Sequence, residues 1–126
     1  MTLRRWPCED KVFAMPKKST KNVFVGNWTI VAMGDLDADY FNDPDGAFIE
    51  FTNNRSGNFG YNFTSGQMDC RLTTRDAEQA IEWSWHGQAG GQPVHGRGWA
   101  VLTGKELHGM ILFHGGHDQP FIAIRR

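Results

Sequence analysis

Residues 94–126 read VHGRGWAVLTGKELHGMILFHGGHDQPFIAIRR, and this stretch decides the fold. Apolar and polar side chains alternate in three short runs, which are separated by two turn sequences at residues 103–106 (TGKE) and 115–118 (GGHD). Alternation with a period of two residues is typical of a half-buried β-strand, and such short turns join neighbouring antiparallel strands. The stretch therefore predicts a three-stranded antiparallel meander.

The same alternation recurs upstream, and no helical pattern there is long enough to make a crossover between strands. Every connection is short except residues 34–46, which favours an all-β, up-and-down antiparallel meander barrel of about eight strands. The alternative is a two-sheet sandwich, for which residues 34–46 would supply the one long crossing. Residues 65–66 are predicted to form a hairpin turn, and residues 75–79 at most one helical turn. The predicted strands are residues 23–33, 47–53, 58–64, 67–74, 80–87, 94–102, 107–114 and 120–126.

The alternation also assigns a face to each side chain. Large rings, among them Phe63 and Trp83, fall on the apolar face, and charged and amide side chains fall on the other. Apolar residues inside and polar residues outside are typical of a barrel in water, whereas a membrane barrel reverses the order. Gly98 lies on the inner face of the strand next to Trp83, and we expect it to leave room for the indole ring.

Length and charge exclude several classes of protein. The 126 residues correspond to one domain, and the net charge of −1 with a pI near 6.5 argues against nucleic acid or an anionic membrane as a partner. Residues 1–21 carry most of the basic excess and are predicted to be a disordered basic arm before a barrel domain at residues 22–126. Two cysteines and the lack of an apolar leader predict a cytoplasmic location.

Gly26-Asn27-Trp28 in the first predicted strand and Arg125 near the end of the last one resemble the G-x-W signature of the calycins, the superfamily of lipocalins, fatty-acid-binding proteins and avidins. The resemblance implies that Trp28 and Arg125 form a structural plug at one barrel end. It also implies that residues 34–46 are similar to a lipocalin lid. In its short length the chain is more similar to a short bacterial barrel family than to a transporter.

The aromatic residues suggest binding rather than catalysis. No phosphate loop, nucleophile elbow or C-x-x-C pattern occurs, so we predict no catalytic residue, no enzyme activity and no cofactor. The leading hypothesis is a small apolar ligand at the barrel mouth under residues 34–46; the competing interpretation is that the inner rings only fill the barrel. The predicted ligand-binding residues are Tyr40, Phe41, Phe51, Tyr61, Trp83 and Trp85.

Two alternatives remain open. The loop aromatics and the outward-facing Trp99 would suit a protein-interaction or oligomerisation module, and we expect a monomer or a weak homodimer. His114 and His117 lie three residues apart in a turn and would suit a metal or a haem, although no third ligand lies nearby in the sequence, so no metal residue is assigned. A calcium-loop pattern is incomplete at Asp35, Asp37 and Asp39.

Overall fold

A computed structural model of the chain describes residues 22–43, 45–53 and 55–126. The predicted basic arm at residues 1–21 lies outside the described residues. Across the described part of the chain, no helix is both long and apolar enough to cross a membrane. The elements are β1 (Gly26–Ala32), α1 (Ala38–Phe41), β2 (Phe48–Phe51), β3 (Ser56–Tyr61), β4 (Thr64–Arg75), β5 (Glu78–Ala89), β6 (Gln92–Thr103), β7 (Glu106–Phe113) and β8 (Asp118–Arg125).

The eight strands form one closed antiparallel barrel in sequence order. Each strand pairs with the next, and β1 also pairs with β8, where Trp28 lies opposite Arg125. Closure leaves no strand edge with unpaired backbone groups. The predicted up-and-down meander barrel is therefore confirmed, and the two-sheet sandwich is wrong because residues 34–46 connect neighbouring strands.

The predicted turn at residues 65–66 is wrong, since the β3–β4 turn lies at Asn62 and Phe63. Both residues have positive φ, 40° and 59°, as a two-residue hairpin turn of type I′ requires. Asparagine tolerates this conformation, but phenylalanine rarely adopts it. As a result Phe63 is 62% exposed instead of facing inward, and Thr64 is buried in its place.

The predicted helical turn at residues 75–79 is also wrong. Asp76 and Ala77 form a second two-residue turn with φ values of 50° and 69°, and Gly90 and Gly91 form a third. Because these turns are so tight, β4, β5 and β6 each extend to 12 residues. The three long strands make one continuous wall of the barrel.

The interior is packed with aromatic rings. Gly98 on β6 lies directly opposite Trp83 on β5, and a Cβ atom at Gly98 would lie 2.3 Å from the indole Cε2. The glycine therefore leaves the space that the indole occupies, as the alternation predicts. The fully buried core side chains include Phe24, Trp28, Ile30, Met33, Ile49, Phe51, Phe59, Cys70, Ile81, Leu107 and Ile111.

Candidate ligand site at the barrel mouth

Residues 34–46 cross one end of the barrel, which we call the mouth. The short helix α1 starts where the carbonyl of Asp37 accepts the backbone N–H groups of Tyr40 and Phe41 at 2.9 and 3.1 Å. Phe41 turns inward and is 2% exposed, whereas Tyr40 points outward and is 50% exposed. The carbonyl of Phe41 accepts the N–H of Asn62 at 3.0 Å, which ties the loop to the β3–β4 turn.

A groove of about 460 Å³ opens between α1, the β3–β4 turn and the β7–β8 loop. Most of its surface is apolar, and its polar atoms come from hydroxyl, amide and imidazole groups. The volume falls within the range of about 300–1,000 Å³ that is typical of small-molecule sites. The groove is lined by Leu36, Tyr40, Tyr61, Asn62, Phe63, Thr64, Ala89, Gly90, Phe113, His117 and Gln119.

Tyr61 is the buried polar group on the floor of the groove. Burial raises its pKa well above the usual value for tyrosine, and the neighbouring Tyr40 raises it further. The Tyr61 hydroxyl is therefore neutral at physiological pH, so it can both donate and accept a hydrogen bond. Gln119 is also buried, and its side-chain amide makes only a long hydrogen bond of 3.4 Å to the carbonyl of Pro120.

Only two of the six predicted ligand-binding residues, Tyr40 and Tyr61, line the groove. Phe41 packs beneath the loop instead. The rings of Phe51 and Trp83 lie 5.6 Å apart in the interior. The Trp85 indole N–H is shared between the carbonyls of Arg97 and Leu112 at 3.2 and 3.3 Å. These rings fill the barrel below the groove.

The histidines of the last turn pack against other rings. His117 stacks on Phe113 with ring centres 5.0 Å apart, and His114 stacks on His95 at 4.6 Å. In the described ranges, no group of three or more His, Cys, Asp or Glu side chains is arranged to hold a metal ion. This holds for Asp35, Asp37 and Asp39 as well. His117 is instead a groove residue with a planar face and hydrogen-bonding nitrogen atoms.

At the opposite end of the barrel, which we call the sealed end, Trp28 and Arg125 contact each other. The Arg125 guanidinium lies over the Trp28 ring, 4.2 Å from its centre, and donates to the carbonyls of Val23 and Val25 at 2.8 Å each. The Trp28 indole N–H donates to the carbonyl of Phe24 at 2.9 Å. These charge-assisted and ring contacts bury the Trp28 indole at the end opposite the mouth, and a second groove of about 600 Å³ lies outside them, lined by Trp28, Leu102, Gly104, Lys105, Glu106, Ile124 and Arg125.

Gly26 explains why the short motif starts with glycine. Its φ is +136°, and a Cβ atom there would lie 2.6 Å from the Arg125 Nη1 atom. Any other residue would therefore strain the backbone and collide with the guanidinium.

Sequence reasoning missed most of the groove. Phe63 was placed in the interior because the turn was set three residues too late, and Phe113 and Gln119 carry no local signal of a binding role. They reach the groove only because β7 ends and β8 begins at the mouth.

Comparisons with known proteins found no protein-family model, curated protein or solved structure that matches this chain.

Proposed function

We propose that this protein binds a small, flat, apolar molecule in the mouth groove, without chemical transformation. The observation that carries the proposal is the pair of exposed aromatic side chains, Tyr40 at 50% and Phe63 at 62%, which line the same groove. Phe63 also holds a left-handed turn conformation that phenylalanine rarely adopts. A large apolar ring kept in solvent by an unfavourable backbone conformation is typical of a contact surface.

The size of the ligand follows from the packed interior. Because Phe51, Trp83 and Trp85 occupy the barrel, a long acyl chain has no channel to enter. The groove holds a molecule of one or two rings. This is the main difference from the fatty-acid-binding and lipocalin barrels whose G-x-W pattern the chain resembles.

The chemistry of the ligand follows from the lining. Tyr40, Phe63 and the stacked pair of Phe113 and His117 offer ring faces, which favour an aromatic or planar ligand. The neutral Tyr61 hydroxyl and the Gln119 amide offer hydrogen bonds near the floor. We therefore expect one polar atom on the ligand, such as a carbonyl or hydroxyl oxygen, to point toward the barrel interior.

The Trp28–Arg125 plug supports membership of the calycin superfamily as part of this proposal. In that arrangement one end of the barrel is sealed and the loop between the first two strands covers the other, open end. The chain has the same polarity, since the guanidinium seal and the 34–46 loop lie at opposite ends. A ligand at the mouth is what this arrangement leads us to expect.

A fluorescence titration with 2-naphthol, a flat two-ring probe with one hydroxyl group, tests the proposal. We expect saturable binding of one probe per chain, and an affinity about tenfold lower in Phe63→Ala or Tyr40→Ala, which corresponds to roughly 1.4 kcal/mol. Val25→Ala is the matched control, because Val25 is 39% exposed and lies at the sealed end. Binding that does not saturate, or that falls equally in the control, would contradict the mouth as the site.

A further inference from the structure

The outer surface of the barrel is divided into two unlike halves. On β4 and β5 the outward side chains are almost all polar or charged, and the register pairs them directly, with Gln67 opposite His86, Asp69 opposite Ser84 and Arg71 opposite Glu82. Such a face is stable in water without a partner. The strands that follow do not continue this pattern.

On β6, β7, β8 and β1 many outward side chains are apolar, although Arg97 on β6 lies beside them, opposite Leu112. We call this surface the apolar outer face. Trp99 pairs across the ladder with Met110, and both Val101 and Ile122 pair with His108. Val31 sits at the irregular step where β1 meets β8 and is 46% exposed, and Ile124 is 43% exposed. The six apolar residues of the face are Val31, Trp99, Val101, Met110, Ile122 and Ile124.

Among the described residues, no element covers the apolar outer face. Barrel closure means that no neighbouring strand is left to cover it, and the interior is already filled by the opposite side chains of the same strands. Arg75 covers only one margin, where its guanidinium lies 4.0 Å from the centre of the Trp99 ring. His108 lies within the face, and its Nε2 atom contacts Glu106 at 2.8 Å.

The extent of the face matches the centre of a small dimer interface. Four strands spaced about 4.8 Å apart and about three outward positions along each strand, half of them occupied by the six apolar residues, give roughly 300–400 Å² per chain in projection. The largest apolar patch of a typical single chain has about this size and is often functional. With a rim of polar residues, two copies would reach about 1,200 Å² in total, the lower end for a stable complex.

We infer that two copies of this chain pair through the apolar outer face, with sheet packed against sheet. A second copy presents the same mainly apolar surface, in which Glu106 already contacts His108, so neither partner buries an unpaired carboxylate at the centre. The cations near the face, Arg75 and Arg97, lie at its Trp99 margin, which leaves too little positive charge for an anionic membrane or nucleic acid as the occupant. The rim carries both signs, as Arg75 and Glu106 show, so like charges need not meet.

Sedimentation velocity of the full chain over roughly 1 to 500 μM tests the inference. We expect a reversible dimer whose weight-average sedimentation coefficient rises with concentration, with a dissociation constant in the micromolar range. Ile122→Asp places a charge within the face and should weaken the dimer at least tenfold. Ser84→Asp, on the polar outer surface of β5, is the matched control and should leave the dimer unchanged.

Two further measurements keep the result clear. Circular dichroism and thermal melting establish whether Ile122→Asp folds. If this variant unfolds, Val31→Asp provides a second disruption at an exposed position.

Phe63→Ala should leave the dimer intact, because the mouth lies outside the apolar outer face. A wild-type chain that stays monomeric at the highest concentration overturns the inference, as does a dimer that only Phe63→Ala dissociates. If a monomeric chain sediments together with neutral phosphatidylcholine vesicles, the face binds a membrane instead of a second copy. This result would also overturn the inference.

Discussion

At the sealed end of the barrel an indole and a guanidinium are held by main-chain carbonyls, whereas at the mouth two aromatic rings stand partly in solvent. Trp28 is 1% exposed and its N–H is bonded to Phe24, but Tyr40 and Phe63 are at least half exposed. The same residue type, a large ring, is thus buried at one end and at least half exposed at the other. The difference separates a ring that stabilises the fold from a ring that is available to a ligand.

The largest effect that this comparison predicts concerns the two rings themselves. Trp28→Ala should lower the free energy of unfolding by about 3–5 kcal/mol, because it opens a cavity and leaves Arg125 without its ring contact. Phe63→Ala should change it by no more than about 0.5 kcal/mol, since the ring is exposed. Urea denaturation followed by far-ultraviolet circular dichroism measures both. A comparable loss in the two variants would remove the distinction between the ends.

The interior that separates the two ends should tolerate little added volume. Gly98→Ala should cost about 1–3 kcal/mol, because the new Cβ atom would overlap the Trp83 indole. Trp83→Phe in the same chain should recover part of this loss by making room and by removing a buried indole N–H that has no hydrogen-bond partner.

A double-mutant cycle at these two positions measures the coupling by urea denaturation. Ser84→Ala, on the exposed face of the same wall, is the control and should stay within about 0.5 kcal/mol of the wild type. Additive losses for Gly98→Ala and Trp83→Phe would mean that the two residues do not share one space.

A smaller effect is expected from the charge at the sealed end. Arg125→Lys should cost about 1 kcal/mol, because an ammonium group cannot hold the carbonyls of Val23 and Val25 together while covering the ring. Arg126→Lys is the matched control, since the Arg126 side chain makes only a 3.4 Å contact with Thr29. Thermal melting of the two variants compares them directly. Equal melting temperatures would indicate that the guanidinium geometry contributes nothing to the seal.

Local patterns predicted the barrel but not the groove, and the reason is physical. Alternation identifies a strand and its inner face from side chains that are close in sequence, so Trp83 and Gly98 were placed correctly. Two-residue turns of this type usually contain glycine, which makes them recognisable in a sequence. The turns at Asn62-Phe63 and Asp76-Ala77 contain no glycine. The turn at Phe63 was therefore missed, and with it the exposed ring on which the proposed function rests.

The mouth could not be assembled from sequence because its parts come from distant segments. Leu36, Phe63, Phe113 and Gln119 meet only through the closure of the barrel and the lengths of its strands. The Trp28–Arg125 contact involves only a short motif and one terminal arginine, so the resemblance could suggest it without the fold. Sites that depend on long-range topology need a structure.

We expect the barrel interior between the two ends to exclude water. Cys70 lies between them on β4, opposite Trp83, and burial raises the pKa of its thiol from 9.0 to about 12. Between these two values the folded chain keeps a proton that the unfolded chain releases. Because the unfolded state then binds fewer protons, stability is complete below pH 9 and falls as the pH rises.

The expected loss attributable to Cys70 is about 1 kcal/mol between pH 9 and pH 10, which should disappear in Cys70→Ala. Urea denaturation under reducing conditions measures this slope in both proteins, and Cys8 is common to both, so its contribution cancels in the difference. Tyr61, whose pKa burial also raises, adds the same slope to both above pH 10. Identical slopes in the two proteins between pH 9 and pH 10 would mean that water reaches Cys70. The groove would then continue from the mouth into the barrel, and the proposed ligand could be longer than two rings.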